Sequence, residues 1–331
     1  MFSVETFKAA DLKINTVKNT GVAGCKDMTF GSTNTAHMFI ADCVHGKWGT
    51  PEIMPYAPMA IDPFNSTFHY AVTCYEGMKV YLDKNGKMRL FRPDMNMKRM
   101  AIAMDRLALA PFEGSEMIKC IEEYCKIEKN WIPSKIGESL YLRPFAFSMQ
   151  NTLGVKPALS SRVMIIASPV ANYFGTKELT PIRLAICRDY ERGTPLSAAG
   201  YKLGANYAPT IKISGDLKEK LGADQVLWLH NDKILEVGAC NIFFLIEDSE
   251  GKRELVTAPL DGSILPGITR DTILKLEQEK QRVKVSERHL TITELKELSK
   301  QGKVIEIFGT GTAVCIMPIA EISSHLFNNS C

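Results

Sequence analysis

Apolar runs and alternating positions predict strands over 39–44, 68–75 and 78–81. Asp83-Lys84-Asn85-Gly86 then reads as a hairpin turn of the Asn-Gly kind, returning through a strand at 88–91. Over 96–109 the period changes to that of a helix, with Met97, Met100, Ala101, Met104, Leu107 and Ala108 on one stripe. Four methionines at 95, 97, 100 and 104 fill a core adaptably, and most such stripes are core. A second helix is predicted over 115–131 with Ser115 as its N-cap. Strands follow at 140–147 and 162–167.

A polar stretch, 174–181, carries Gly175 and ends on Pro181, which marks a linker. Beyond it, strands are expected at 182–187, 225–230, 234–246 and 304–308, the middle two forming a hairpin about Asn231-Asp232. Helices are expected from about Asn206, with Pro209 in the first turn, over 269–279, and after the capping box Thr291-Ile292-Thr293-Glu294. Many strands in irregular order with short helices argue for an α+β architecture over a doubly wound sheet. The expected organisation is a small α/β domain over 1–174, a linker over 175–181 and a larger domain over 182–331.

Composition narrows the function classes. A chain of 331 residues buries a large core and has room for two domains. Its net charge is only +3 and no basic block is long, so neither nucleic acid nor an anionic membrane is an expected partner. No apolar run reaches the ~18 residues of a spanning helix. Met1-Phe2-Ser3-Val4-Glu5 resembles neither a signal peptide nor a basic presequence. Nine scattered cysteines without a CxxC are expected to be free thiols, which points to the cytoplasm.

Several chemistries are excluded by missing residues. There is no HExxH, no GxSxG and no Walker A loop, and the six histidines are isolated, so no metal site is expected. Gly309-Thr310-Gly311-Thr312-Ala313-Val314 follows a strand, but no helix start follows it, which removes a dinucleotide site. Those glycines can still form a turn whose N–H groups face an anion. Leu265-Pro266-Gly267-Ile268-Thr269-Arg270 leads into a helix, so the N–H groups of Ile268 and Thr269 are a second anion candidate. Glu236 stands in an apolar strand on the same face as Ile234 and Gly238; it either points to solvent or, if buried, needs a cation or donor.

Lys202 lies between Gly200 and Gly204, and Tyr207 follows it. Most lysines are solvated surface charges. One stripped of hydration is a nucleophile toward carbonyls and forms Schiff bases. Pyridoxal phosphate would employ all these pieces together. Lys202 would take its aldehyde, Tyr207 its phenolic oxygen and Glu236 its protonated ring nitrogen. The turn at Ile268-Thr269 and an arginine would take its phosphate.

Seven segments in order resemble the branched-chain amino acid aminotransferases: 75–79 (Tyr-Glu-Gly-Met-Lys), 91–100, 141–144, 201–207, 236–238, 265–270 and 308–313. The resemblance runs from about residue 29 to 322. It implies a fold-type IV pyridoxal phosphate enzyme, with a small α/β domain and a larger domain holding a β pseudobarrel and helices. It implies a homodimer with its active site at the domain and subunit interface, acting on amino acids and 2-oxo acids. By matching position, Lys202 is the Schiff-base lysine, with Glu236 and Tyr207 on the ring. Arg99 is the phosphate arginine, assisted by Ile268, Thr269 and Thr312, with Arg192 as a further helper. Phe30, Tyr70, Tyr75, Tyr141, Arg143 and Val155 match the substrate pocket, Tyr70 reaching in from the partner subunit. Ala239 and the backbone at Thr312-Ala313 complete it.

The chain departs from the family at Tyr75, often Phe, and at Ala239, a threonine in the animal enzymes. Val314 and Met317 stand where those enzymes carry a CxxC. The same cofactor residues would also serve a D-amino acid aminotransferase or an aminodeoxychorismate lyase. A non-catalytic protein that kept the fold is the reading from another class.

Overall fold

The structure, a computed structural model, describes residues 6–19, 21–25, 27–171, 180–248 and 250–324. The chain forms two units. The first takes in Met1–Gly175 and Tyr201–Ala205, the second Thr176–Gly200 and Asn206–Cys331. The five residues about Lys202 thus group with the first unit. The expected linker, 175–181, lies outside the described residues apart from its last two positions.

The first unit is built on one sheet. Its strands are β1 (Lys13–Ile14), β2 (His37–Val44), β3 (Lys47–Trp48), β4 (Glu52–Pro55), β5 (Thr73–Tyr75), β6 (Met78–Leu82), β7 (Met88–Leu90), β8 (Ser139–Ser148) and β9 (Ser160–Val170). They run in the order β1-β4-β2-β9-β8-β6-β7, with β3 on β2 and β5 on β8. All pairings are antiparallel except β1 with β4. Helix α1 (Ser66–Tyr70) precedes β5, and α2 (Pro93–Arg106) packs on α3 (Gly114–Ile127). The α2 stripe is borne out in part: Met97, Met100 and Met104 are buried, but Ala101 and Ala108 are exposed and the helix ends at Arg106, short of the expected 109.

Two elements differ from the sequence expectation here. The strand expected over 68–75 is a helix and a shorter strand. Phe68, Tyr70, Val72 and Thr73 favour strands, but the Asn65 side chain caps Thr67 N–H at 2.9 Å and Ala71 closes the turn at φ 51°. Ser115 is not an N-cap; Glu113 holds that position and Gly114 opens α3.

The second unit is a barrel with an extension. Its strands are β10 (Ile182–Cys187), β11 (Gln225–His230), β12 (Lys233–Val237), β13 (Cys240–Glu247), β14 (Arg253–Thr257), β15 (Lys284–Glu287), β16 (Val304–Gly311) and β17 (Cys315–Ser324). They form one sheet in the order β12-β11-β10-β17-β16-β13-β14-β15, and β12 also pairs with β13. That pairing closes a ring through β10, β11, β12, β13, β16 and β17, leaving β14 and β15 outside it. The helices are α4 (Thr210–Leu221), α5 (Ile268–Lys280) and α6 (Ile292–Lys300). Along β13, Ile242, Phe244 and Ile246 enter one core cluster with Leu184, Leu227 and Leu229. Phe243 points the other way, to Leu255, Phe308 and Leu274 of α5.

The apolar run 234–246 is two strands because Gly238 turns the chain at φ 49°. A Cβ there would stand 2.0 Å from Gln225 Oε1, so no larger residue fits without a shift. Helix α4 starts later than expected, at Thr210 with Pro209 as its N-cap, after a short 3₁₀ turn over Gly204–Asn206. The capping box at α6 forms in one arm, Thr291 Oγ1 accepting from Glu294 N–H at 3.0 Å. Strand β17 was not expected from the sequence. Among the described residues no helix is long and apolar enough to cross a membrane, and no group of metal-binding side chains gathers.

Candidate active site

In the first unit the lysine segment is fastened to β5. Tyr75 N–H donates to the Lys202 carbonyl at 3.1 Å, and Cys74 bridges Leu203 in antiparallel fashion. Gly204 allows the approach: a Cβ there would lie 2.8 Å from Thr73 Cγ2. Arg106 sits over the Tyr201 ring at 5.6 Å. Lys202 Nζ lies 4.8 Å from the centre of the Tyr75 ring, a cation–π contact that presents the amine along an aromatic face.

The same ring receives Arg143, whose guanidinium carbon is 4.6 Å from its centre. Arg143 Nη2 donates to Tyr141 Oη at 3.3 Å, and the Phe30 and Tyr141 rings meet edge-on at 4.8 Å. Gly77 makes room for that phenol; a Cβ would stand 2.0 Å from Tyr141 Oη. A cavity of about 420 Å³ opens here, walled by Phe30, Tyr56, Tyr141, Arg143, Ala167 and Ser168. It has the size and aromatic lining of a small-molecule site. Arg143 Nε is buried without a hydrogen-bond partner among the described residues, a donor suited to an anionic group.

Of the residues expected from the sequence, Phe30, Tyr141 and Arg143 wall this cavity, and Tyr75 and Lys202 join them through the Tyr75 ring, which contacts both Arg143 and Lys202. Tyr70 and Val155 are not among the walls of this cavity. They are on the surface, 40% and 83% exposed, and Tyr70 Oη donates to the Leu153 carbonyl. Arg99 is buried and gripped by a residue to which the sequence assigned no role. Glu76 Oε1 takes Arg99 Nε at 2.6 Å, and Oε2 takes Nη2 at 2.8 Å. Asn96 Nδ2 donates to Glu76 Oε2 at 2.7 Å, so the fork is fixed from behind.

In the second unit Glu236 is 1% exposed and stands on β12 where the barrel closes. This removes the solvent-facing alternative. Its cation is Arg192, which meets it as an ion pair, each side chain 2% exposed. The Arg192 guanidinium carbon is also 5.1 Å from the centre of the Tyr207 ring. Arg192 Nη1 and Glu236 Oε1 are the atoms that meet in this pair, while Arg192 Nε and Nη2 are buried without a hydrogen-bond partner among the described residues. Buried charges left without hydrogen bonds are costly, so this pair is incomplete by itself.

Glu236 is opposite Asn241 on β13, and Asn241 is opposite Thr310 on β16, which puts three polar side chains in a row on one face. Ile268 and Thr269 open α5, whose N-cap Gly267 supplies no side-chain cap. Thr312 and Ala313 form the turn from β16 to β17, and Ala239 is exposed in the turn from β12 to β13. Neither Asn241 nor Thr310 was singled out from the sequence, because the row exists only through pairing of distant strands.

The chemistry of this donor and acceptor set fits pyridoxal phosphate. A pyridinium N–H would find its acceptor in the buried Glu236 carboxylate, and an anionic group would suit the two unmet guanidinium nitrogens of Arg192.

The thiols divide sharply. Burial pushes Cys74, Cys120 and Cys125 up to about 12. Cys315 is exposed, at φ 59°, and opens β17 just after the turn at Thr312-Ala313. In native protein at neutral pH, Cys315 should react with a disulfide reagent well before those three. Mild peroxide should leave activity largely intact; reversible inactivation that disappears in Cys315→Ser would contradict this.

Comparison with known proteins agrees with this architecture. A family model described as amino-transferase class IV matches residues 73–322, and the chain belongs to that family. Its relatives there are branched-chain-amino-acid aminotransferases. That of Dictyostelium discoideum is 43% identical over 298 residues, covering 89% of this chain and 78% of its own. Among solved structures, the branched-chain aminotransferase of Thermoproteus uzoniensis with norvaline has TM-score 0.70 at 22% identity, covering 89% of this chain and 90% of its own. The branched-chain amino acid aminotransferase of Thermobaculum terrenum, solved in its PLP-form, has TM-score 0.68 at 20% identity, covering 87% of this chain and 86% of its own. The fold is that of the fold-type IV aminotransferases.

Proposed function

We propose that this chain transfers the amino group of leucine, isoleucine or valine to 2-oxoglutarate, with pyridoxal phosphate as its cofactor. The observation that carries the reading is the buried Glu236–Arg192 pair at the barrel seam, a carboxylate in an apolar strand whose guanidinium partner keeps Nε and Nη2 unmet among the described residues. When bound, pyridoxal phosphate supplies an aldehyde conjugated to a ring that withdraws electrons from the substrate's α-carbon. Lys202 would hold the aldehyde, and its amine would carry the proton of the α-carbon. Glu236 accepts from the ring nitrogen, and Tyr207 hydrogen-bonds the phenolic oxygen. Arg99, Ile268, Thr269 and Thr312 hold the phosphate, with Arg192 assisting. The backbone at Thr312-Ala313 receives the α-carboxylate, beside Ala239.

A transaminase must accept two unlike side chains. The aromatic faces of Phe30, Tyr75 and Tyr141 suit a branched alkyl group, while Arg143 suits the second carboxylate of glutamate. Arg143→Ala should therefore cost glutamate more than leucine, by about 1.5–3 kcal/mol in kcat/KM, the range for a hydrogen bond to a charged group. The test is a donor screen with 2-oxoglutarate, run on both proteins. Wild-type protein inactive on all three branched-chain donors would sink the substrate assignment. Equal losses on leucine and glutamate would place Arg143 on the shared α-carboxylate or in the fold.

We further propose a homodimer. In support, α1 and the segment after β8 are joined by an Asn65–Asn151 bridge and expose Phe64, Phe68, Tyr70, Leu153 and Val155. An apolar patch of this kind favours a protein contact. Tyr70 and Val155 would then reach the partner's substrate site. Sedimentation at the mass of a single chain would refute the dimer. The compartment is proposed to be the cytoplasm, where free thiols such as Cys315 persist; cell fractionation tests it.

A further inference from the structure

We propose that Asn241 is a positioning residue for the cofactor's phosphate, a strut that sets the first turn of α5 against the barrel seam. The inference rests on the cofactor reading above. Asn241 is 4% exposed and stands between Glu236 and Thr310 in the row across β12, β13 and β16. Its Nδ2 donates to the Leu265 carbonyl at 2.8 Å, two residues before the N-cap of α5. Its Oδ1 lies against that N-cap: a Cβ on Gly267 would come within 2.0 Å of it. One amide therefore grips the entering loop by a hydrogen bond and touches the cap residue itself.

The need for such a strut follows from the cap. An Asp, Ser or Thr at this position would turn its own side chain onto the first-turn N–H groups. Glycine supplies no side chain for this, so the turn lacks that local fixation. The first helical bond, Asp271 N–H to the Gly267 carbonyl at 2.9 Å, begins only after that turn. Orientation has to come from outside the helix, and Asn241 provides it from β13. Beside the strut, Thr310 is 1% exposed and its hydroxyl has no hydrogen-bond partner among the described residues. A buried, unmet hydroxyl on the same sheet face is a donor that a ligand oxygen would satisfy.

The role is separable from general support of the fold, because it concerns the phosphate alone. Apoprotein of wild type, Asn241→Ala, Gly267→Ala and the double variant would be titrated with pyridoxal phosphate and with pyridoxal, which lacks the phosphate. Thermal melting of each apoprotein would confirm folding. Asn241→Ala should weaken pyridoxal phosphate about tenfold, the value of one hydrogen bond, and leave pyridoxal within about twofold. Gly267→Ala should cause a similar loss by pushing the turn away from Oδ1. The double variant should be no worse than Asn241→Ala, since the clash is gone. Equal weakening of both ligands, or none, would overturn the proposal. Should Asn241→Ala fail to fold, Gly267→Ala decides by the same two ligands. Wild-type protein that does not prefer pyridoxal phosphate to pyridoxal would overturn the cofactor reading itself, before any variant is considered.

Discussion

Lys202→Ala is expected to leave a folded protein that still takes up pyridoxal phosphate but turns over at least 10²–10⁴ times more slowly, roughly the contribution of one positioned acid–base group. The lost covalent anchor adds to that figure. The fold should tolerate the change. The segment is held by main-chain bonds, Tyr75 N–H to the Lys202 carbonyl and the Cys74–Leu203 bridge, and neither uses the amine. What disappears is the Nζ over the Tyr75 ring and, on the proposed reading, the amine that would move a proton at the substrate's α-carbon. Single-turnover absorbance changes with leucine, compared with cofactor affinity, separate the two effects. Near wild-type turnover in this variant would end the assignment.

Glu236→Gln should produce the second largest loss, about 10²–10³ in kcat, by analogy with removal of one preorganised charge-stabilising group. The amide keeps the shape and the place opposite Asn241 but not the negative charge that favours a protonated ring nitrogen. A second effect should accompany it in apoprotein. Arg192, buried against the carboxylate, would be left as an uncompensated charge, and breaking such a pair costs about 3 kcal/mol or more. Urea melts of the two apoproteins measure this; kinetics with leucine measure the first effect. Unchanged activity would make Glu236 a structural acid only.

What the sequence disclosed depended on range. The Asn85-Gly86 turn, the α2 stripe and Thr291 of the capping box act within a few residues, and each was legible. The helix at Ser66–Tyr70 was not, because its side chains favour strands and only the Asn65 cap and the Ala71 turn override them. The break at Gly238 was hidden for a similar reason: the residues on either side continue one apolar run. Among the candidate site residues, Lys202 between two glycines and Glu236 in an apolar strand stood out from their local setting, whereas Arg143 was named only through the family resemblance. Glu76 and Asn241 were not legible, since each acts by reaching a distant segment, Arg99 in one case and the Leu265–Gly267 loop in the other. A carboxylate or an amide in an apolar stretch gives no sign of which partner it will find.

The assignment of Tyr201–Ala205 to the first unit has a consequence for recombination. A hybrid that exchanged the first unit as one continuous stretch, ending at Gly175, would leave Lys202 and its neighbours on the recipient's sequence. Strand β5 from one parent would then meet a lysine segment from the other, and Thr73 would have to match a foreign residue at the position of Gly204. Grafts that carry the five residues along with the first unit preserve that fit. Inheritance at this site is therefore by two unequal pieces of sequence, and a crossover map of productive chimeras should show linkage between them.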